Sequence, residues 1–133
     1  MEIFDALQLA LRLGIALEES EELYREFFRT TQDPVFITNR DGSYVDCNDA
    51  FMTHLGITDR ASLGSLNITD ALAHPEDRLV LLGMLIHDGY IRQYPVDFKR
   101  TDGTTGKAFL TALPHKNQDG EIRLFIGTIR VIP

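Results

Sequence analysis

Four Asp-Gly pairs punctuate this chain, and three of them, at 41–42, 102–103 and 119–120, separate runs of apolar residues. A tight reversal between strands needs positive φ, which glycine adopts freely and aspartate tolerates. Asp-Gly between apolar segments is therefore the strongest local hairpin signal. The order predicted is strand, strand, a helix-rich middle, then three strands in series. The strands are expected at 35–38, 43–47 and roughly 90–100, 105–115 and 121–132. The fold class this implies is α+β, a five-stranded antiparallel sheet with helices on one face and a cavity between the two layers.

The segments between the strands carry helix punctuation. Asn48 or Asp49 is placed to cap a helix through Ala50, Phe51 and Leu55, with Gly56 as its stop. Asp59 and Thr69 look like caps of short helical turns. Pro75 suits the first turn of a longer helix, with Glu76 and Asp77 at its positive end. That helix runs through Leu79–Ile86 and stops at the fourth pair, Asp88-Gly89.

Residues 1–29 are expected to form an N-terminal amphipathic helix, and 30–133 the sheet-bearing domain. Leu7, Leu9, Leu11, Leu13, Ile15 and Leu17 alternate like a strand, but Ala10, Ala16 and Glu18 are good helix formers. Such a helix is apolar on most of its circumference and has to be buried on more than one side. The sheet offers a place. A sheet with one wet face alternates apolar and polar residues, yet 108–113 and 124–129 do not. Both faces there need cover, and the spare apolar element is the leading helix, from this chain or a second copy. A homodimer through that helix and the outer sheet face is the expected assembly.

Composition limits the partners. At 133 residues and 15.0 kDa the chain is one domain, and 44% hydrophobic content is enough for a core. A formal charge of −7 and an isoelectric point of 4.9 have the wrong sign for nucleic acid. Lys99, Arg100, Lys107 and Lys116 lie near turns and are expected to be solvated. The single cysteine, Cys47, allows no internal disulfide, which suits a reducing compartment. The apolar stretch 7–17 is interrupted by Gln8 and Arg12 and falls short of the roughly 20 residues a spanning helix needs. Glu2 and Asp5 stand where a secretory signal carries basic residues. A cytoplasmic protein without direct membrane insertion is expected.

The expected cavity is lined by Val45, Phe51, Leu55, Leu82, Ile86, Val96, Phe98, Thr111 and Thr128, with Arg92 and Tyr94 at its mouth. Residues of these types also build ordinary cores, so a small-molecule ligand is a reading set beside plain packing. No catalytic pattern stands out. Asp97, between Val96 and Phe98, alternates to the opposite face, beside Lys99 and Arg100. Residues 102–107 have a hairpin's context rather than that of a phosphate loop. Cys47 is expected to be a buried small hydrophobe, and neither zinc binding nor cysteine catalysis is indicated. His54 and His115 are expected at the surface or in turns, His74 at a cap, and His87 beside a helix dipole.

Taken in order, these residues resemble the PAS domain family over 18–132. Glu18–Arg25 with Phe27-Phe28 looks like the family's leading helix, and Pro34–Gly42 like its first strand and turn. Asn48-Asp49-Ala50-Phe51 is similar to its N-x-A-F motif, and His74-Pro75-Glu76-Asp77-Arg78 to the start of its long helix. Phe98–Gly103 and Gly127–Arg130 resemble its late strands. The resemblance implies a sensory and dimerisation module with a downstream effector: histidine kinase, diguanylate cyclase or transcription regulator. A ligand-free structural dimer and a small isomerase-type enzyme are the alternatives. Haem and flavin are not supported. The long helix has no histidine at Leu79–Leu82, and Cys47-Asn48 reverses the Asn-Cys of the family's flavin motif. Val131, Ile132 and Pro133 stand where members that drive an effector often carry Asp-Ile-Thr. That departure puts the usual exit contact in question, and an ending at the last strand suggests a piece of a longer protein.

Overall fold

The computed structural model describes residues 32–133. Gly42, Gly103 and Gly120 have φ of 88°, 89° and 82°, so each hairpin turns on its glycine as the sequence predicts. The strands are β1 (Val35–Asn39), β2 (Tyr44–Cys47), β3 (Ile91–Lys99), β4 (Thr105–Lys116) and β5 (Ile122–Ile132). Their order in the sheet is β2-β1-β5-β4-β3, with every neighbouring pair antiparallel. The last strand thus lies at the centre, between the first strand and the fourth.

Between β2 and β3 come helix α1 (Asp49–Leu55), two 3-10 turns (Arg60–Ser65 and Ile68–Ala71) and helix α2 (Asp77–His87). Gly56 closes α1 at φ 76°, and Asp59 caps the first 3-10 turn. The second is capped by Asn67 rather than Thr69: the Asn67 side chain accepts from the Thr69 N–H at 2.9 Å. Thr69 is the residue served by a cap. Pro75 lies in the turn before α2, which begins at Asp77.

One side chain joins β1 to α1. Asn48 is fully buried, and its Oδ1 accepts from the N–H of Val35 at 2.9 Å and of Phe51 at 3.0 Å. Its Nδ2 donates to the Asp33 carbonyl at 2.7 Å, and its own N–H to the Val35 carbonyl at 3.0 Å. The cap therefore also replaces ladder partners at the beginning of β1. Backbone groups thus fill both acceptor positions of this buried amide and one of its two donor positions.

Sheet register sorts the core. Ala108, Leu110 and Ala112 of β4 pair with Val131, Ile129 and Gly127 of β5, and Phe36 of β1 also faces Gly127. These residues turn toward α1 and α2, where Phe36, Tyr44 and Phe51 stack with ring centroids 5.2–6.5 Å apart. A Cβ at Gly127 would run into the Phe36 ring. The opposite face carries a second buried cluster, Val35, Ile37 and Ile126, with Leu113 and Leu124 against it. No described helix contributes to it. The expected helix over 1–29 and the boundary at 30 lie outside the described residues.

Replacing Asn48 by Ala removes a cap and strands two buried backbone groups, so a loss of about 3 kcal/mol is expected in urea unfolding. Gly127→Ala is expected to cost about 1–3 kcal/mol by forcing the Phe36 ring aside, and adding Phe36→Leu should recover part of the loss.

Candidate functional site

A cavity of about 60 Å³ lies between α2 and the sheet. Leu81, Leu82 and Leu85 form its helical wall. Phe36, Leu110, Ala112 and Phe125 form the sheet wall, with Ile91 at the edge. Ala112 leaves room in the sheet wall beside Leu110, whereas the space over its neighbour Gly127 is filled by the Phe36 ring. Among the described residues that line it, Thr38 and Arg78 carry the polar side chains.

Arg78 seals one end. Its Nη1 donates to Thr69 Oγ1 at 3.0 Å and Asn67 Oδ1 at 3.3 Å, and its Nη2 to the Arg40 carbonyl at 3.1 Å. The guanidinium lies against Gly42, in space that a Cβ there would occupy. The first turn of α2, the second 3-10 turn and the β1–β2 hairpin are tied together by this one side chain.

The expected cavity residues divide into three groups. Leu82 lines the cavity. Phe51, Val96 and Phe98 are buried in the same core without lining it, Tyr94 packs against that core, and Leu55 opens onto a separate cleft. The rest point elsewhere. Val45 is 55% exposed, because β1 and β2 shift register between Ile37 and Thr38 and Tyr44 and Cys47 take the inward positions. Ile86 is 62% exposed, since Leu81 and Leu85, one helical turn apart, set which side of α2 meets the sheet. Thr111 and Thr128 pair with each other on the outer face, one residue out of phase with the inward Leu110, Ala112, Gly127 and Ile129. Arg92 is exposed and away from the cavity mouth.

Thr111 and Thr128 have structural tasks instead. Thr128 Oγ1 donates to the Pro34 carbonyl at 2.7 Å, and Thr111 Oγ1 accepts from the Gln93 N–H at 3.1 Å. That second bond supports Gln93 at φ 47°, where β3 shifts register against β4. Of the residues that line the cavity, sequence reasoning found only Leu82 and missed the rest, Thr38, Arg78 and Phe125 among them. A signal existed for Phe125, which shares its parity with Gly127 and Ile129.

Asp97 does turn outward, but its partners are Lys107 Nζ at 3.1 Å and His74 Nε2 at 3.4 Å rather than Lys99 and Arg100. The Lys107 ammonium, helped by His74, holds its carboxyl below the usual carboxylate range. Cys47 is sealed in the core, and burial pushes its thiol up to about 11, against the opposing pull of Arg60. Such a thiol is a packing group. Among the described residues no group of His, Cys, Asp and Glu has metal-site geometry, and no helix is long and apolar enough to cross a membrane.

The family model of the PAS domain matches residues 32–130. Among solved structures, the chain is similar to the PAS domain of a protein from Colwellia psychrerythraea. They share 16% identity and a TM-score of 0.74, over 84% of this chain and 96% of that one. It is also similar to a domain of a sensory box sensor histidine kinase/response regulator from Geobacter sulfurreducens. There the identity is 24% and the TM-score 0.68, over 87% and 97%. A LOV protein from Rhodobacter sphaeroides superimposes at 15% identity and a TM-score of 0.70, over 87% and 68%. No curated protein matches the chain in sequence. The fold, the buried Asn48 of the N-x-A-F motif and the family match agree, and the chain belongs to the PAS domain family.

Proposed function

We propose that this PAS domain is a cytoplasmic sensory and dimerisation module. A small molecule under α2, or a change of packing there, would shift how α2 seats on the sheet and bias an attached effector between two states. The observation that carries this reading is the apolar cavity beneath a lightly held helix. Only Leu81 and Leu85 of α2 are buried, while Leu79 and Val80 are 76% and 53% exposed. The exposed walls of this pocket are almost wholly apolar, so an apolar occupant gains by covering them. Gly89, at φ 80°, is the natural hinge where α2 meets β3.

The effector is a histidine kinase, a diguanylate cyclase or a transcription regulator in this reading. The Geobacter neighbour, a sensor histidine kinase, supports the first. The apolar cluster of Val35, Ile37 and Ile126 supports the homodimer, with the helix expected over 1–29 covering that face and 30–133 forming the domain proper. The small volume of the cavity favours, as a second reading, a ligand-free module that only sets subunit register. An isomerase would use a perturbed acid facing the cavity, whereas among the described residues the carboxylates with shifted affinity, Asp97 and Asp102, both lie at the surface.

Native mass spectrometry of the mildly purified protein is expected to show a small molecule bound, and Ala112→Val, which fills the void, to expel it. The same substitution should raise the melting temperature by about 4–8 °C per kcal/mol recovered. A ligand-free wild type would favour the register-setting module. Deleting residues 1–17 is expected to give a monomeric or insoluble protein by size-exclusion chromatography with light scattering; an unchanged dimer would remove the helix from this reading.

A further inference from the structure

A second concavity, of about 340 Å³, opens between the 3-10 turns and the end of β3, apart from the cavity under α2. Its size falls within the roughly 300–1,000 Å³ of ordinary small-molecule sites. Leu55, Ile57 and Leu66 make an apolar floor, and Tyr44 stands at its base. The Tyr44 hydroxyl is closed off from solvent and makes no hydrogen bond, the kind of polar atom that calls for an explanation in a native fold.

The rim separates into engaged and idle groups. Arg100 Nη1 donates to the Thr105 carbonyl at 2.9 Å, and its guanidinium covers the Phe98 ring at 4.9 Å. Thr101 Oγ1 donates to the Gly56 carbonyl at 2.7 Å. Asn67 is committed to Asp41, Thr69 and Arg78. Asp70 and Lys99 line the same cleft, yet neither forms an ion pair with the other or with any other described residue. Two opposite charges thus stand unpaired at the rim of an apolar floor.

A ligand that satisfies all three features carries a cation and an anion close together on an apolar body. We propose that this cleft binds a free α-amino acid with an apolar side chain. Its ammonium meets Asp70, its carboxylate meets Lys99, and its side chain rests on Leu55, Ile57 and Leu66. A simple anion would leave Asp70 facing like charge, and a simple cation would do the same to Lys99. The site is independent of the cavity under α2, and its failure would leave that reading untouched.

The test is amide chemical-shift titration of the full chain with L-phenylalanine, 3-phenylpropionate and phenethylamine as probes. Phenylalanine is expected to give saturable shifts around 55–57, 66–71 and 99–101, and each analogue to bind about tenfold more weakly. Asp70→Asn should weaken phenylalanine about tenfold while sparing 3-phenylpropionate; Lys99→Gln should weaken it similarly while sparing phenethylamine. Both residues are exposed, so both variants should fold. Analogues that match phenylalanine, an affinity unmoved by either variant, or no saturable shift would overturn the proposal. Shifts confined to Phe36, Leu85 and Phe125 would overturn it too, and would favour the cavity under α2.

Discussion

The buried amide of Asn48 is the junction on which this domain depends. β1 begins, α1 begins and the chain from Asp33 turns inward within reach of the same four-atom group. Without it the first strand would enter the sheet with its leading N–H unpaired, and the first helix would start with an open donor in the core. Either alone would cost more than most surface contacts return. The Phe36, Tyr44 and Phe51 stack follows from the angle this junction sets between strand and helix.

The two halves of the helical layer are held by different means. α1 is tied by the buried Asn48 amide, and the 3-10 turns by the side-chain caps of Asp59 and Asn67. α2 is tied at its first turn by Arg78 and along its length mainly by Leu81 and Leu85. The proposed response to a ligand rests on this arrangement, a helix anchored at its first turn over an apolar pocket. The attachments differ in chemistry: a buried amide at α1, and a guanidinium with two leucines at α2.

The fold was largely legible in the sequence, for reasons visible at particular residues. Asp41-Gly42, Asp102-Gly103 and Asp119-Gly120 marked their hairpins because positive φ leaves few other residue choices. Asn48 and Gly56 bounded α1 for similar reasons. The cavity was less legible because its lining depends on phase. Strands β4 and β5 are apolar on both faces, so composition did not say whether Thr111 or Ala112 turned inward. The small residues opposite each other, Ala112 and Gly127, held that information. On α2 nearly every residue is apolar, and only packing against the sheet distinguishes Leu85 from Ile86. Arg78 was legible as part of a motif, but its reach to Arg40 and Asn67 crosses turns that local patterns do not connect.

The central place of β5 has a consequence for how the molecule is made. Val35 in β1 is matched with Thr128 in β5, so the β1–β2 hairpin lacks its neighbour in the sheet until β5 has been made. Pairings this distant in sequence slow the search for the native state and make its completion nearly all-or-none. Until β5 is in place, β1 presents an open edge, the feature of a sheet most prone to pairing with a foreign strand.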